Sequence, residues 1–400
     1  MSVRTGSADL PLHGGRVPAW LATRMSSMAR VLTEAIVHHY GREEWLARMA
    51  NPFWFQSFGA IMGMDWHSSG ITTSVIGALK RGLAPIEWEL GLHVCGGRGR
   101  HSRKTPEELV SIGNRLGIDG RQLAATSRLV AKIDSAAVQD GFQLYLHGFV
   151  VSDSGDWIVV QQGMNPQRRE ARRYHWQSNR IRSFVEEPHS AVEGPNQGVI
   201  LNMTDRRARQ ARALQVELAA TPDVVAQTLE MPRHHDIRGA DVNLRRLRSA
   251  LLAAANRGPR DFEDLLMTPG LGARTVEALA LVAEVLHGAP SRFQDPARFS
   301  FAHGGKDGHP FPVPVDVYDE TLRVLRQAVD KARLGNEERL SAIRRLDRES
   351  RRLETWAATG PQFEELVEER RRQSAALRGR TVFDGRNGKT KGRQLSLFPK

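Results

Sequence analysis

The stretch Phe142-Gln-Leu-Tyr-Leu-His-Gly-Phe-Val-Val-Ser-Asp-Ser-Gly-Asp-Trp-Ile-Val-Val-Gln-Gln162 sets Val150, Val151, Ile158, Val159 and Val160 on either side of a short polar turn. β-Branched residues favour a pleated, buried surface, so this reads as two antiparallel strands, 142–151 and 157–162, joined through Ser152-Asp-Ser-Gly-Asp156. Period-two alternation puts Gln143, Tyr145 and His147 on one face and brings His147 near Gln161 or Gln162 on the returning strand. Helical spacing surrounds this pair. Met25, Met28, Val31, Leu32, Ala35 and Ile36 mark one helix, residues 72–80 another, and Thr105-Pro106 a third, with Thr105 as its N-cap.

The fold class expected is therefore α+β: a mixed N-terminal domain around a central antiparallel β-hairpin, over 1–200. A helical region follows over 201–315, with helices at 204–219 and 242–255. Two or three charged helices then occupy 316–378, and a basic tail without periodicity occupies 379–400. No repeat of solenoid length is visible.

The 400 residues carry 57 Lys plus Arg against 45 Asp plus Glu, a formal net charge of +12. Such a balance suits a polyanionic partner, nucleic acid or an anionic membrane surface, although Arg-rich coding composition gives a similar excess. No segment reaches the roughly 18 consecutive apolar residues of a membrane span. Residues 1–15 are polar and Gly-rich, unlike a signal peptide. Cys95 stands alone, which excludes an internal disulfide and a multi-Cys zinc site within one chain. These features together point to a cytoplasmic protein without a membrane partner.

Leu265-Leu-Met-Thr-Pro-Gly-Leu-Gly-Ala-Arg-Thr-Val-Glu-Ala-Leu279 sets Pro-Gly-apolar-Gly between two helical patterns. It resembles the helix-hairpin-helix family of repair and recombination proteins. Gly270 and Gly272 leave no side chain between backbone and a phosphate, and the following helix turns its N–H groups toward the same spot. Leu271 packs the helices and Arg274 flanks the phosphate. Contacts of this kind hold DNA backbone without reading sequence. The alternative is a tight helix–helix connection that uses Gly for geometry alone.

Near the end of the chain, Gln394-Leu-Ser-Leu-Phe398 resembles the peptide by which bacterial polymerases, repair proteins and ligases dock on the β sliding clamp. Leu397 and Phe398 would be apolar anchors, Leu395 adds burial and Gln394 sets register. The alternative is a tail that folds back onto the protein's own core. Arg168-Arg-Glu-Ala-Arg-Arg-Tyr-His-Trp176 mixes guanidinium groups with aromatics, so Arg172, Arg173 and Trp176 suit backbone contacts plus base stacking, or else a solvated helix face.

Asp65, His67, Lys132, Asp140 and His147 form the candidate chemical centre. Asp65, Asp140 and His147 would hold Mg²⁺ or Mn²⁺, with Lys132 offsetting charge in the transition state of phosphodiester cleavage. The strand pair resembles the acidic hairpin of restriction-type nucleases, but the acid-x-Lys signature is missing and Gln161-Gln162 stand in its place. Buried polar residues satisfied by hydrogen bonds are the alternative. His93–Thr105 reads as a Gly/basic phosphate-holding loop without a Walker ending. His234-His-Asp236 offers further ligands or a solvated loop.

The run Ser127-Arg-Leu-Val-Ala-Lys-Ile-Asp-Ser-Ala-Ala-Val-Gln-Asp-Gly-Phe-Gln-Leu-Tyr-Leu-His147 carries a further resemblance. With Leu10-Pro-Leu-His13, Asp65-Trp-His-Ser-Ser-Gly70, Trp157–Asn165, Arg172–Trp176 and Gly304-Gly-Lys-Asp-Gly308, it resembles the bacterial and archaeal domain-of-unknown-function family seven-six-three over about residues 1–330. The resemblance implies no reaction. The expected function is DNA binding in replication or repair, either as a metal-dependent nuclease recruited by the clamp or as a non-catalytic factor tethered to it.

Overall fold

The computed structural model describes residues 10–11, 17, 19–62, 64, 69–229, 244–297, 313–314 and 379–380. Asp65, His67, His234-His-Asp236, the charged segment 317–377 and Gln394–Phe398 lie outside the described residues. The described chain is mixed helix and antiparallel sheet. It opens with β1 (Leu10–Pro11), α1 (Ala19–Ala50, interrupted at Gly41), α2 (Pro52–Ile61), α3 (Gly70–Leu83), α4 (Glu87–Leu90), β2 (Leu92–Arg98), α5 (Arg100–Leu116) and α6 (Gly120–Lys132). A π-helical turn, Ile133–Ala137, leads into β3 (Val138–Gln139), β4 (Gln143–Ser152), β5 (Trp157–Asn165), β6 (Glu170–Gln177), β7 (Ala191–Glu193) and β8 (Val199–Asn202). Then come α7 (Arg209–Ala219), α8 (Pro222–Leu229), α9 (Leu244–Arg257), α10 (Phe262–Leu266), α11 (Ala273–His287) and β9 (Arg292–Gln294).

The main sheet runs β1-β6-β5-β4-β2, with β7 also paired to β6, and every pairing is antiparallel. Both faces are covered, which is why β4 and β5 read as almost unbroken apolar runs. On one face Val94, Leu146, Val150, Ile158 and Val160 pack against α1, α2 and α3. On the other, Phe149, Val151, Trp157, Val159 and Trp176 join a core with α5, α6 and helices α7 to α11. This second core runs past residue 200 without a break, and the small sheet β3-β8-β9 draws strands from both sides of it.

Three local expectations are corrected. Tyr145 does not share the His147 face. The β4–β5 register shifts between Leu144 and Leu146, and this bulge turns Tyr145 with Leu146 toward α3. The third helix does not start at Thr105: α5 begins at Arg100 and holds Pro106 inside it. Proline removes one helical N–H, and the Thr105 hydroxyl donates to the Ser102 carbonyl instead, at 2.8 Å. The Gly/basic loop is not a loop either, since 92–98 form edge strand β2. Gly96 is required there because a Cβ would stand 2.2 Å from the His147 carbonyl.

Candidate functional site

The side chains on the α6 face of the sheet include a row of polar residues. In register, His147 of β4 stands beside Gln161 of β5, which stands beside Tyr174 of β6. All three are buried, so each must find a partner. Asp134, in the π-helical turn that follows α6, supplies one. Its Oδ2 accepts from Gln161 Nε2 and, at 2.9 Å, from Trp176 Nε1, while Oδ1 meets His189 Nε2 at 2.5 Å.

With its amide nitrogen turned to that carboxylate, Gln161 offers Oε1 to His147 Nδ1 at 2.7 Å. An amide oxygen only accepts, so Nδ1 carries the ring hydrogen. His147 Nε2 is left as an acceptor for the Ser127 hydroxyl, 2.9 Å away on α6. Burial holds the His147 pKa below its ordinary value, while Gln161 and Asp134 pull it back up. The result is a neutral imidazole with a serine hydroxyl on its basic nitrogen. Ser127 and His147 share a cleft of about 330 Å³ with Arg103, Arg128 and Gln161.

Asp140 belongs to a different network. Its Oδ2 accepts from Arg172 Nη1 at 2.8 Å and Tyr174 Oη at 2.6 Å, and its Oδ1 from the Phe142 amide at 3.0 Å. Arg172 also donates to both carboxylate oxygens of Asp295, at 3.0 and 2.6 Å, and to the Pro195 carbonyl. Burial pushes the Asp140 carboxyl up, against the pull of Arg172, Tyr174 and Phe142. Burial opposes the Arg172 charge too, but Asp140, Tyr174 and Asp295 outweigh it and raise its pKa.

Across the sheet, Arg173 meets Glu193 at 3.1 Å and Gln56 at 2.5 Å. Burial drives the Glu193 carboxyl up to about 7 although Arg173 pulls it down. His175 lies beside them with Nε2 4.0 Å from a Glu193 oxygen, and burial, then Arg173, keeps it well below the ordinary histidine value.

Asp140 and His147 do not converge: each is held by its own donors and acceptors. Among the described residues no group of three His, Cys, Asp or Glu side chains could hold a metal ion. Asp140 and His147 are engaged by different neighbours, and Asp65 and His67, the other members of the expected centre, lie outside the described residues. Lys132 is spent elsewhere, donating from Nζ to the Leu271 carbonyl. Arg172, Arg173 and Trp176 are each fully buried, so they present neither charge nor ring to a nucleic acid.

Ser127 and Asp134 were not singled out as site residues by sequence. A signal for them exists, because Leu123, Ser127, Val130 and Asp134 recur at helical spacing on one buried stripe where polar side chains are costly.

The hairpin stands apart from this sheet chemistry. Leu265, Leu266, Leu271, Val276 and Leu279 are buried and hold α10 against α11. Between the helices, Leu271 N donates to the Thr268 carbonyl at 3.1 Å, closing a turn with Pro269 second and Gly270 third at φ +81°. That is the position where a type II turn needs positive φ. Gly272 caps α11 in an extended conformation, and a Cβ there would meet nothing within 4 Å. The frame is braced from behind, since Lys132 holds the Leu271 carbonyl and Gln139 Nε2 donates to that of Ala273 at 2.7 Å. Pro269, Gly270 and Arg274 are exposed.

No helix among the described residues is long and apolar enough to cross a membrane. No curated protein and no solved structure matches the chain. A family model described as protein of unknown function (DUF763) matches residues 6–313, a span that holds the polar sheet, the Ser127–His147 cleft and the hairpin. The chain belongs to this family of proteins of unknown function.

Proposed function

We propose that the chain is a DNA-binding protein of replication or repair, which grips the phosphate backbone through the hairpin at 265–279 and is recruited to the β sliding clamp through Gln394, Leu395, Leu397 and Phe398. One observation carries the first half. Gly272 opens a 15-residue helix, has free space where a side chain would stand, and sits in a turn braced by Lys132 and Gln139. A phosphate oxygen suits such a spot, because first-turn N–H groups and the positive end of the helix dipole face it. The clamp half rests on the five-residue match in the sequence alone.

DNA binding and clamp tethering are better supported than metal-dependent cleavage at Asp140 and His147. A metal-dependent nuclease would draw on Asp140 and His147, which already make hydrogen bonds in separate networks. A weak backbone grip and a short clamp peptide, linked in one chain, raise each other's effective concentration.

The test is fluorescence anisotropy on two duplexes of unrelated sequence. Gly272→Val is expected to weaken binding to both alike while the melting temperature stays put. Unchanged affinity in the folded variant would reduce the hairpin to a structural connection. Deleting residues 394–398 should abolish the extra affinity for clamp-loaded DNA and spare naked DNA; equal loss on both would refute the tether.

A further inference from the structure

We propose that Ser127 and His147 are a nucleophile and its base, acting without a metal on a phosphodiester held in the cleft between α5, α6 and β4. This goes beyond backbone binding and does not depend on the hairpin. A serine hydroxyl is a weak nucleophile until a neighbouring base takes its proton. Here the base is in place: His147 Nε2 lies 2.9 Å from Ser127 Oγ, and the other ring nitrogen is anchored on Gln161, itself anchored on Asp134. The order nucleophile, imidazole, orienting group follows the logic of a catalytic triad, with Gln161 relaying between His147 and the acid.

The cleft explains the choice of substrate. Both reacting side chains line it and are nearly buried, Ser127 3% and His147 6% exposed, which shields them from bulk water. Among the described residues no carboxylate lines it, whereas Arg103 and Arg128 do, and both are exposed. Arg98, Arg100 and Lys104 are exposed along the same edge strand and helix. Guanidinium pairs match the paired oxygens of a phosphodiester, and the surrounding positive charge concentrates such anions.

In the first step Ser127 Oγ attacks phosphorus and passes its proton to His147 Nε2. The P–O bond to the leaving group breaks, and His147 returns that proton to the departing alkoxide. In the second step water attacks the phosphoserine diester and gives a proton to His147. The Ser127–O–P bond breaks, the proton returns to Ser127, and a phosphomonoester leaves. The net reaction is hydrolysis, and it needs only water.

The experiment is labelling of the full chain with a fluorophosphonate probe, in which serine attacks phosphorus and fluoride departs. A single adduct on Ser127, located by peptide mass, is expected. It should vanish in Ser127→Ala and form more slowly by about 10²-fold or more in His147→Gln. Nitrogen-15 shifts of the His147 ring should report hydrogen on Nδ1, and Gln161→Leu should shift that tautomer. With chelator present, bis-p-nitrophenyl phosphate and a labelled oligonucleotide are then offered as substrates. Turnover of the first alone assigns a small phosphodiester, and turnover of the second assigns DNA. Absence of an adduct on the folded wild type overturns the proposal. So does turnover of neither substrate, or turnover that survives Ser127→Ala. Labelling by the small probe does not involve the hairpin, so loss of the adduct with DNA binding intact, or the reverse, separates a failure here from a failure of the DNA-binding reading.

Discussion

Two segments of this chain carry residue types suited to DNA backbone, and the fold treats them in opposite ways. Arg172 and Arg173 lie next to each other on β6, between β5 and its other neighbours, and vanish into the two faces of a covered sheet. Gly270 and Gly272 carry no charge, yet they stand, one exposed and one half-buried, in a turn at the mouth of a long helix. Alternation along an inner strand sends consecutive residues into opposite cores, so each arginine is obliged to find its own acids: Asp140 and Asp295 for one, Glu193 for the other. Charge in a sequence thus signals a surface only where the element carrying it has a surface.

The sharpest way to break this comparison is Arg172→Met. It leaves Asp140 and Asp295 buried without their cation, and urea unfolding should show a loss of about 3–5 kcal/mol. DNA affinity per folded molecule is expected to hold. A stable Arg172→Met protein that lost DNA binding would restore the arginine to a binding role.

Glu193 on the opposite face should give a pH signature of slightly smaller size. Its folded pKa of about 7 lies above the ordinary 4.5, so the folded state keeps a proton that the unfolded chain releases. The stability it confers is present below pH 4.5 and lost as pH rises toward 7, by about 3 kcal/mol in all. The difference in unfolding free energy between wild type and Glu193→Gln should fall across that window and flatten above it. A flat difference throughout would mean that Glu193 is ionised in the fold.

The hairpin side predicts smaller energies with larger functional effects. Lys132→Met removes the donor to the Leu271 carbonyl and should cost about 1–3 kcal/mol, while weakening DNA binding through a loosened turn. Gly270→Ala places a side chain at φ +81° and should cost about 1–2 kcal/mol. Gly272→Val meets open space and extended backbone, so its cost should stay within about 0.5 kcal/mol even as affinity drops. Thermal melts beside anisotropy separate the two quantities. A large stability loss at Gly272 would show that the turn is packed rather than open.

Much of the architecture was legible in the sequence. The β-branched runs of β4 and β5 announced the central hairpin, and the spacing of Met25 to Ile36 announced a helix of the layer beneath it. Pro269-Gly270 disclosed the turn, because a positive φ open to few other residues leaves a mark on sequence. The bulge at Tyr145 was not legible, since nothing in the local composition records a register set by the partner strand. Arg172 and Arg173 were misread because their burial depends on Asp295 and Glu193, far along the chain. The candidate site was half legible. His147 and Gln161 fell out of strand pairing, whereas Ser127 and Asp134 needed α6 to be laid across the sheet before their partners could be seen.

Hydrogen exchange of the full chain with and without a duplex tests the central claim most directly. Binding is predicted to slow exchange of amides from Gly270 through Thr275 and to leave those of β6 unchanged. Slowed exchange in β6 with none at the hairpin would contradict the account.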